Sequence, residues 1–256
     1  HRTINDLIDI YFVSNQTNEE KIIQPEFRLT GKQPELWNAI NGSTRLLPAF
    51  EMKESSTMVP IKLAAYESAF VVFRNKADND PLKSTTDNYP HQVEIMKLVG
   101  PWKVEFDVSR RGPAEEITFD VLQDWTTSSD ERIKYYSGEA TYNIDFNIPE
   151  IINGENYVID LGNLTAMAKV YVNDNYSGGA WTSPYSIDIT KYIKSGDNKI
   201  SVTVVNNWMN RIIGDLNIPE DKRETWCFVN PYSAQSPLQP SGLFGPVTIR
   251  SINYVK

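Results

Sequence analysis

The sequence predicts an all-β protein, and three observations carry that expectation. Apolar residues recur at every second position along many short segments, turn-forming residues separate those segments, and no long stretch repeats with the 3.6-residue period of a helix. Short strands divided by turns describe antiparallel sandwiches and not an alternation of strands and helices.

In chain order, Asp9-Ile10-Tyr11-Phe12-Val13 is rich in β-branched and aromatic residues, and Phe27-Arg28-Leu29-Thr30 alternates. Asn41-Gly42 has hairpin-turn chemistry. Ile61-Lys62-Leu63 and Phe70-Val71-Val72-Phe73 follow, so residues 1–76 read as a small antiparallel β-sandwich domain. From Lys76 to Pro90 only Ala77, Leu82 and Tyr89 are apolar, too little to order the segment, and residues 77–97 read as a linker. Beyond it, Trp102, Val104, Phe106 and Val108 alternate with Lys103, Glu105, Asp107 and Ser109. Phe119 to Trp125 reads as a short helical or irregular turn. The alternation returns at Tyr142, Ile144, Phe146 and Ile148, and at Ala168, Val170 and Val172. It appears again at Ile187 and Ile189, at Ile200, Val202 and Val204, and at Val247 and Ile249. Turns of the type Asn153-Gly154, Asn173-Asp174-Asn175 and Ser195-Gly196-Asp197-Asn198 lie between them, making residues 98–256 a second, larger β-sandwich.

Composition narrows the function. Lys plus Arg number 25 against 33 Asp plus Glu in 256 residues, a net charge of −8. Such a chain has no basic excess to neutralise nucleic-acid phosphates or to dock on an anionic membrane. No apolar run approaches the roughly 20 residues of a membrane-spanning helix, and the opening residues do not read as a signal peptide. A single cysteine, Cys227, and two histidines, His1 and His91, leave little for a thiolate cluster, a His-rich metal site or a His-dependent triad. His91, in Asn88-Tyr89-Pro90-His91, reads as a solvated or locally packed residue.

A glycosidase needs two carboxyl groups across a cleft. The adjacent pairs Glu115-Glu116, Asp130-Glu131 and Glu220-Asp221 sit in polar, turn-like contexts, and neighbours on a strand point to opposite faces. They read as solvated surface charge. Asn173-Asp174-Asn175 and Asp78-Asn79-Asp80 fall short of a calcium-loop pattern and read as turns. No cofactor is expected, although a structural calcium held by backbone carbonyls would leave no trace in the sequence. Sequons begin at Asn15, Asn41, Asn163 and Asn175, and matter only in a glycosylating secretory pathway.

Aromatic content is the most informative feature: six Trp, 13 Tyr and 10 Phe. An exposed indole stacks on the C–H face of a sugar while neighbouring Asn, Asp and Arg bind its hydroxyls. Trp125, Trp181, Trp208 and Trp226 lie in turn-rich segments with such neighbours, and Asn206-Asn207-Trp208-Met209-Asn210-Arg211 is the densest amide cluster. The same tryptophans serve equally to plug sandwich ends or an interdomain seam. Trp37 and Trp102 read as core.

The second half of the chain resembles the jelly-roll, galactose-binding-like sugar-binding domain of glycoside hydrolase family 2. Gly100-Pro101-Trp102, Tyr136-Ser137-Gly138-Glu139-Ala140-Thr141-Tyr142, Asp160-Leu161-Gly162 and Ala168-Lys169-Val170-Tyr171-Val172-Asn173 carry the resemblance. Trp181-Thr182-Ser183-Pro184-Tyr185, Lys194-Ser195-Gly196-Asp197-Asn198-Lys199-Ile200 and Ser241-Gly242-Leu243-Phe244-Gly245-Pro246-Val247 complete it in order. The first half, through Asp9-Ile10-Tyr11-Phe12-Val13-Ser14-Asn15 and Phe27-Arg28-Leu29-Thr30-Gly31-Lys32-Gln33-Pro34-Glu35-Leu36-Trp37, resembles the segment after the barrel in family 106 α-L-rhamnosidases. Asn210-Arg211-Ile212-Ile213-Gly214-Asp215 is similar to a stretch of their C-terminal jelly roll.

That resemblance implies an extracytoplasmic bacterial enzyme degrading rhamnose-containing polysaccharides, with its barrel and catalytic Glu residues upstream. A barrel alone needs about 250 residues, and the start at His1-Arg2-Thr3 without methionine is what a piece of a longer protein would show. The expectation is therefore a non-catalytic C-terminal accessory region. Its partners would be the upstream catalytic domain of the same polypeptide and, at its loops, a carbohydrate, with neither nucleic acid nor membrane. The candidate sugar-contacting residues are Trp181, Trp208, Asn210, Arg211, Asp215 and Trp226, with no catalytic and no metal-binding residue. A stand-alone carbohydrate-binding module and a purely structural sandwich with a severed apolar interface are the alternatives.

Overall fold

The computed structural model describes residues 1–77 and 87–253. It is built from antiparallel sheets, as the alternation predicts, and it divides into one unit of His1–His91 with Asn253–Lys256 and a second of Gln92–Ile252.

In the first unit a five-stranded sheet runs in the order Arg2–Ile4, Ile8–Ser14, Ser68–Lys76, Lys32–Trp37 and Thr44–Leu46. Two small sheets accompany it, one pairing Lys21–Ile23 with Ile61–Leu63 and one joining Glu26–Phe27, Thr57–Met58 and Glu51–Met52. The alternation sends Ala69, Val71 and Phe73 into a core with Phe27, Leu47, Phe50, Val59, Ile61 and Leu63. The expected turn at Asn41-Gly42 is present: Asn38 N–H donates to Ser43 O at 2.9 Å, and Gly42 takes φ 71°.

Trp37 departs from its expected core position. It pairs across the sheet with Phe70, on the side away from that core, where it is half-buried. Its indole N–H donates to Glu35 Oε2 at 2.9 Å, and the Arg74 guanidinium lies over its ring, 5.2 Å from the centroid.

Of the expected linker at 77–97, residues 78–86 lie outside the described residues. The rest that is described past that stretch is ordered structure. Asn88 is buried, and its amide donates to Ala49 O and Pro60 O while its carbonyl accepts from Ala49 N. His91–Leu98, where His91 was expected in a linker, is a strand. Val93 and Ile95 alternate with Gln92 and Glu94 in it, and both stand exposed at a sheet edge, where pairing with one neighbour needs little apolar burial.

The second unit is a sandwich. One sheet has the order Ile117–Phe119, Trp102–Phe106, Glu139–Ile148, Gly196–Val205, Met167–Val172 and Asn175–Ala180. The other has the order His91–Leu98, Val247–Asn253, Asn156–Asp160 and Ser186–Asp188. Trp102, Val104, Tyr142, Val170 and Val202 from the first sheet share one core with Tyr157, Ile159, Ile187, Val247 and Ile249 from the second.

Phe119 to Trp125 ends in a 3-10 turn, Trp125–Thr127, capped by the Asp124 carboxylate accepting from Thr126 N. Trp125 is fully buried. Its Nε1 donates to Tyr142 Oη at 2.6 Å, and burial pushes the Tyr142 hydroxyl well above the ordinary phenol range. This removes Trp125 from the candidate sugar platforms.

The connection from Val205 to Gly242 is the longest excursion from the sandwich and holds the helix Met209–Leu216 and the turn Glu220–Lys222. Ile212 and Ile213 seat the helix. Gly214 lets it approach: a Cβ there would stand 2.7 Å from Tyr135 Cβ.

Candidate functional site: the excursion from Val205 to Gly242

In the amide-rich cluster expected to bind hydroxyls, Asn206 and Asn210 point inward and Asn207 stays exposed. Asn210 is fully buried; its side-chain amide donates to Gln239 O at 2.7 Å and Ser241 Oγ at 3.1 Å, and its carbonyl accepts from Gln239 N at 2.8 Å. Asn206 joins it, donating to Tyr136 O and Ser241 Oγ. Buried amides must be satisfied, and these are satisfied by the protein itself. Asn210 therefore anchors the helix to the chain before Gly242 and is not a sugar contact.

Asp215 and Arg211 are likewise engaged by the protein itself. They stand one turn apart on the helix, and both Nε and one terminal nitrogen of Arg211 donate to Asp215 Oδ1. Asp215 Oδ2 accepts from Glu224 N at 3.1 Å, Thr225 N at 2.8 Å and Thr225 Oγ1 at 2.8 Å. Burial alone would raise the Asp215 pKa. The hydrogen bonds from Arg211 and Thr225, with the Arg211 charge, outweigh it and hold the carboxyl below its usual range. Arg111 closes the arrangement, meeting Glu224 Oε1 at 2.5 Å and donating to Lys222 O at 3.2 Å. Asp215 is thus the clasp that fixes the irregular stretch after the helix.

That stretch carries the exposed aromatics. Trp226 is 83 % exposed and Phe228 is 87 % exposed, and their rings meet edge to face with centroids 6.3 Å apart. Trp226 lines a cleft of about 380 Å³ together with Ile212, Leu216, Glu220, Arg223 and Asn230, with Asp215 in its wall. Trp208 at 74 % and Trp181 at 62 % are also exposed, but neither lines this cleft. The expected site residues therefore separate into Trp226 at the cleft, Arg211 and Asp215 as its support, Asn210 in the interior, and Trp181 and Trp208 elsewhere on the surface. Phe228, Glu220, Arg223 and Asn230 were not foreseen. The run Trp226-Cys227-Phe228-Val229 inside a polar stretch was the signal that could have found them.

Asp215, Glu220 and Glu224 all border the cleft. Asp215 is consumed by five hydrogen bonds and its pKa is lowered, the opposite of what a proton-donating acid needs. Two of the pairs weighed from the sequence are engaged on the surface: Arg132 binds both Glu115 and Asp130 at 2.6 Å, and Lys103 faces Glu116. Among the described residues no group of three or more His, Cys, Asp or Glu side chains is placed to hold a metal ion. Of the sequons, Asn15 is closed to modification, since its buried amide donates to Glu19 O and Ala64 O at 2.7 Å.

Residues 1–52 match the family described as alpha-L-rhamnosidase, and residues 97–228 match the glycosyl hydrolases family 2, sugar binding domain. A curated protein of Formosa agariphila, named "Putative beta-glucuronidase", is 32% identical over 193 residues, which are 66% of this chain and 16% of that protein. The solved rhamnosidase of Novosphingobium sp. PP1Y is 35% identical with a TM-score of 0.88, covering 98% of this chain and 23% of that one. The chain thus spans less than a quarter of either relative. With half of its length matched, the chain belongs to the glycosyl hydrolase family 2 sugar-binding domains, and nearly all of it is similar to a region of a rhamnosidase.

Proposed function

We propose that this chain is a non-catalytic accessory region of a larger α-L-rhamnosidase-like glycoside hydrolase, bracing the catalytic part and touching its glycan. The observation that carries this reading is the similarity of nearly the whole fold, 98% of the chain, to a segment amounting to 23% of a rhamnosidase. The engaged state of Asp215 in the cleft it borders with Glu220 and Glu224 supports a role other than bond cleavage. By the same reading the whole protein degrades rhamnose-containing polysaccharide outside the bacterial cytoplasm. Among the described residues no helix is long and apolar enough to cross a membrane.

A surface suited to bracing lies on the five-stranded sheet, on the side away from its core. Phe12, Phe70 and Trp37 pair across three adjacent strands, with the Phe12 and Phe70 rings 5.3 Å apart and Phe12 58 % exposed. Leu46 extends the band and is exposed as well. Contiguous apolar side chains on a sheet face mark a protein-facing surface.

The test is to produce the longer reading frame with and without residues 1–256 and to follow thermal inactivation of its rhamnosidase activity. Removal is expected to shorten the half-life several-fold and to leave the bond-cleaving chemistry measurable. An unchanged half-life would refute the bracing role.

A further inference from the structure

Trp226 and Phe228 are two large aromatic side chains left in water, although burial of apolar rings is favourable. They do not sit on a loose loop. Asp215 holds the backbone N–H groups of Glu224 and Thr225, Arg223 Nε donates to Ile218 O at 3.2 Å, and Arg111 ties Glu224 to the Lys222 carbonyl. On the far side, Cys227 Sγ donates to Val229 O and Tyr232 N to Asn230 Oδ1, both at 3.0 Å. The backbone that carries the two rings is therefore tied on both sides before any ligand arrives, which lowers the ordering cost of binding.

Their surroundings select the ligand. The cleft beside Trp226 has a volume of about 380 Å³, at the small end of ligand pockets, and its rim brings Glu220, Arg223 and Asn230 next to the indole. Aromatic faces alternating with short polar groups suit a molecule that has both an apolar C–H face and a ring of hydroxyls. A lipid would leave the polar rim unpaired, and a flat protein partner would not fill the cleft. Of the three carboxylates that border it, Asp215 is paired with Arg211 and Glu224 with Arg111. With Glu220 and Arg223 both on the rim, the cleft is balanced in charge and offers both donors and acceptors, which suits a neutral sugar. Residues 97–228, the span matching the sugar-binding family, include both rings.

We propose that Trp226 and Phe228, with Glu220, Arg223 and Asn230, form a binding site for a neutral pyranose unit of a glycan. The inference deepens the accessory-region reading and rests on it. The indole stacks on the C–H face of the ring, the Phe228 edge borders it, Arg223 and Asn230 donate to hydroxyls, and Glu220 accepts from them. Asp215 is a positioning residue that acts through residues 224–225 and does not touch the sugar.

The experiment titrates the intact chain with methyl α-L-rhamnopyranoside, an L-rhamnose disaccharide and methyl β-D-glucuronide, followed by tryptophan fluorescence and saturation-transfer NMR. Saturable binding of the neutral sugars in the millimolar range is expected. Both Trp226→Ala and Phe228→Ala should weaken it about tenfold or more, an effect typical of a lost aromatic contact. Trp181→Ala and Trp208→Ala should leave it unchanged, and the glucuronide should bind more weakly. All four rings are exposed, so the variants retain the fold. Asp215→Glu, which keeps the carboxylate, should restore affinity lost in Asp215→Asn. No response up to about 50 mM sugar, equal loss in the Trp181 or Trp208 variants, or preference for the glucuronide would overturn the proposal. These failures would leave the bracing role to its own test, because inactivation of the longer enzyme does not depend on sugar bound at this cleft.

Discussion

Asp215 shows how much one buried carboxylate can organise. It neutralises Arg211 on its own helix and receives three donors from residues 224–225, so the turn after the helix is held by a charge. Asp215→Asn removes that charge and leaves Arg211 partly buried without its partner, a change expected to cost about 2–4 kcal/mol in urea unfolding. Exchange of the Glu224 and Thr225 amide hydrogens should accelerate in the same variant. The pH dependence has a definite sign. Because the folded-state pKa of Asp215 is lowered, its contribution is complete above the ordinary carboxylate range, near 4, and is lost as pH falls through the depressed value. Glu35 behaves alike in the first unit: burial raises its pKa, but hydrogen bonds from Arg74, Trp37 and Asn75 outweigh it. Acid titration by circular dichroism should show reduced acid sensitivity in Asp215→Asn relative to the native chain. The sequence marks Asn210, Arg211 and Asp215 as a polar cluster, but composition counts donors and acceptors without saying which way they point. Only the helix, too short for its period to stand out, turns them inward.

At the level of elements, the strands were legible because one face is buried and the other is wet. Trp102–Phe106 alternates buried and exposed at every residue. Strand His91–Leu98 was missed because the polar, proline-containing stretch before it reads as a linker, although Val93 and Ile95 alternate with Gln92 and Glu94. The strand Gly242–Gly245 carries the sharpest prediction. A Cβ on Gly242 would lie 2.7 Å from Trp125 Nε1, and φ there is +112°, a conformation that L side chains rarely adopt. The indole cannot retreat without breaking its bond to Tyr142 Oη. Gly242→Ala is expected to destabilise the sandwich by about 3 kcal/mol or more, read from urea unfolding. Gly31→Ala, with nothing near its Cβ position, tests the backbone strain separately and should cost less. The glycine in Ser241-Gly242-Leu243-Phe244-Gly245 was visible in the sequence; the ring it accommodates, more than 100 residues earlier, was not.

Across the molecule, two β units with separate cores are carried by a chain of net charge −8. Each unit keeps an aromatic feature outside its core: the Phe12–Phe70–Trp37 band in the first, and Trp226 with Phe228 in the second. The accessory reading assigns them different occupants, protein for the sheet face and glycan for the cleft. Phe12→Ser, at an exposed position, should leave the unfolding of the chain nearly unchanged while shortening the half-life of the longer enzyme. The all-β class and the family were legible from periodicity and short motifs. Of the tryptophans, Trp181, Trp208 and Trp226 face solvent and Trp102 lies in the core as expected, whereas Trp37 and Trp125 depart, because their burial is set by contacts distant in sequence. The most direct test of a non-catalytic region is to incubate the purified chain with a panel of p-nitrophenyl glycosides that includes the α-L-rhamnopyranoside. The account predicts release no faster than in buffer alone; sustained turnover that co-purifies with the chain and is lost on mutating Glu220 or Glu224 would contradict it.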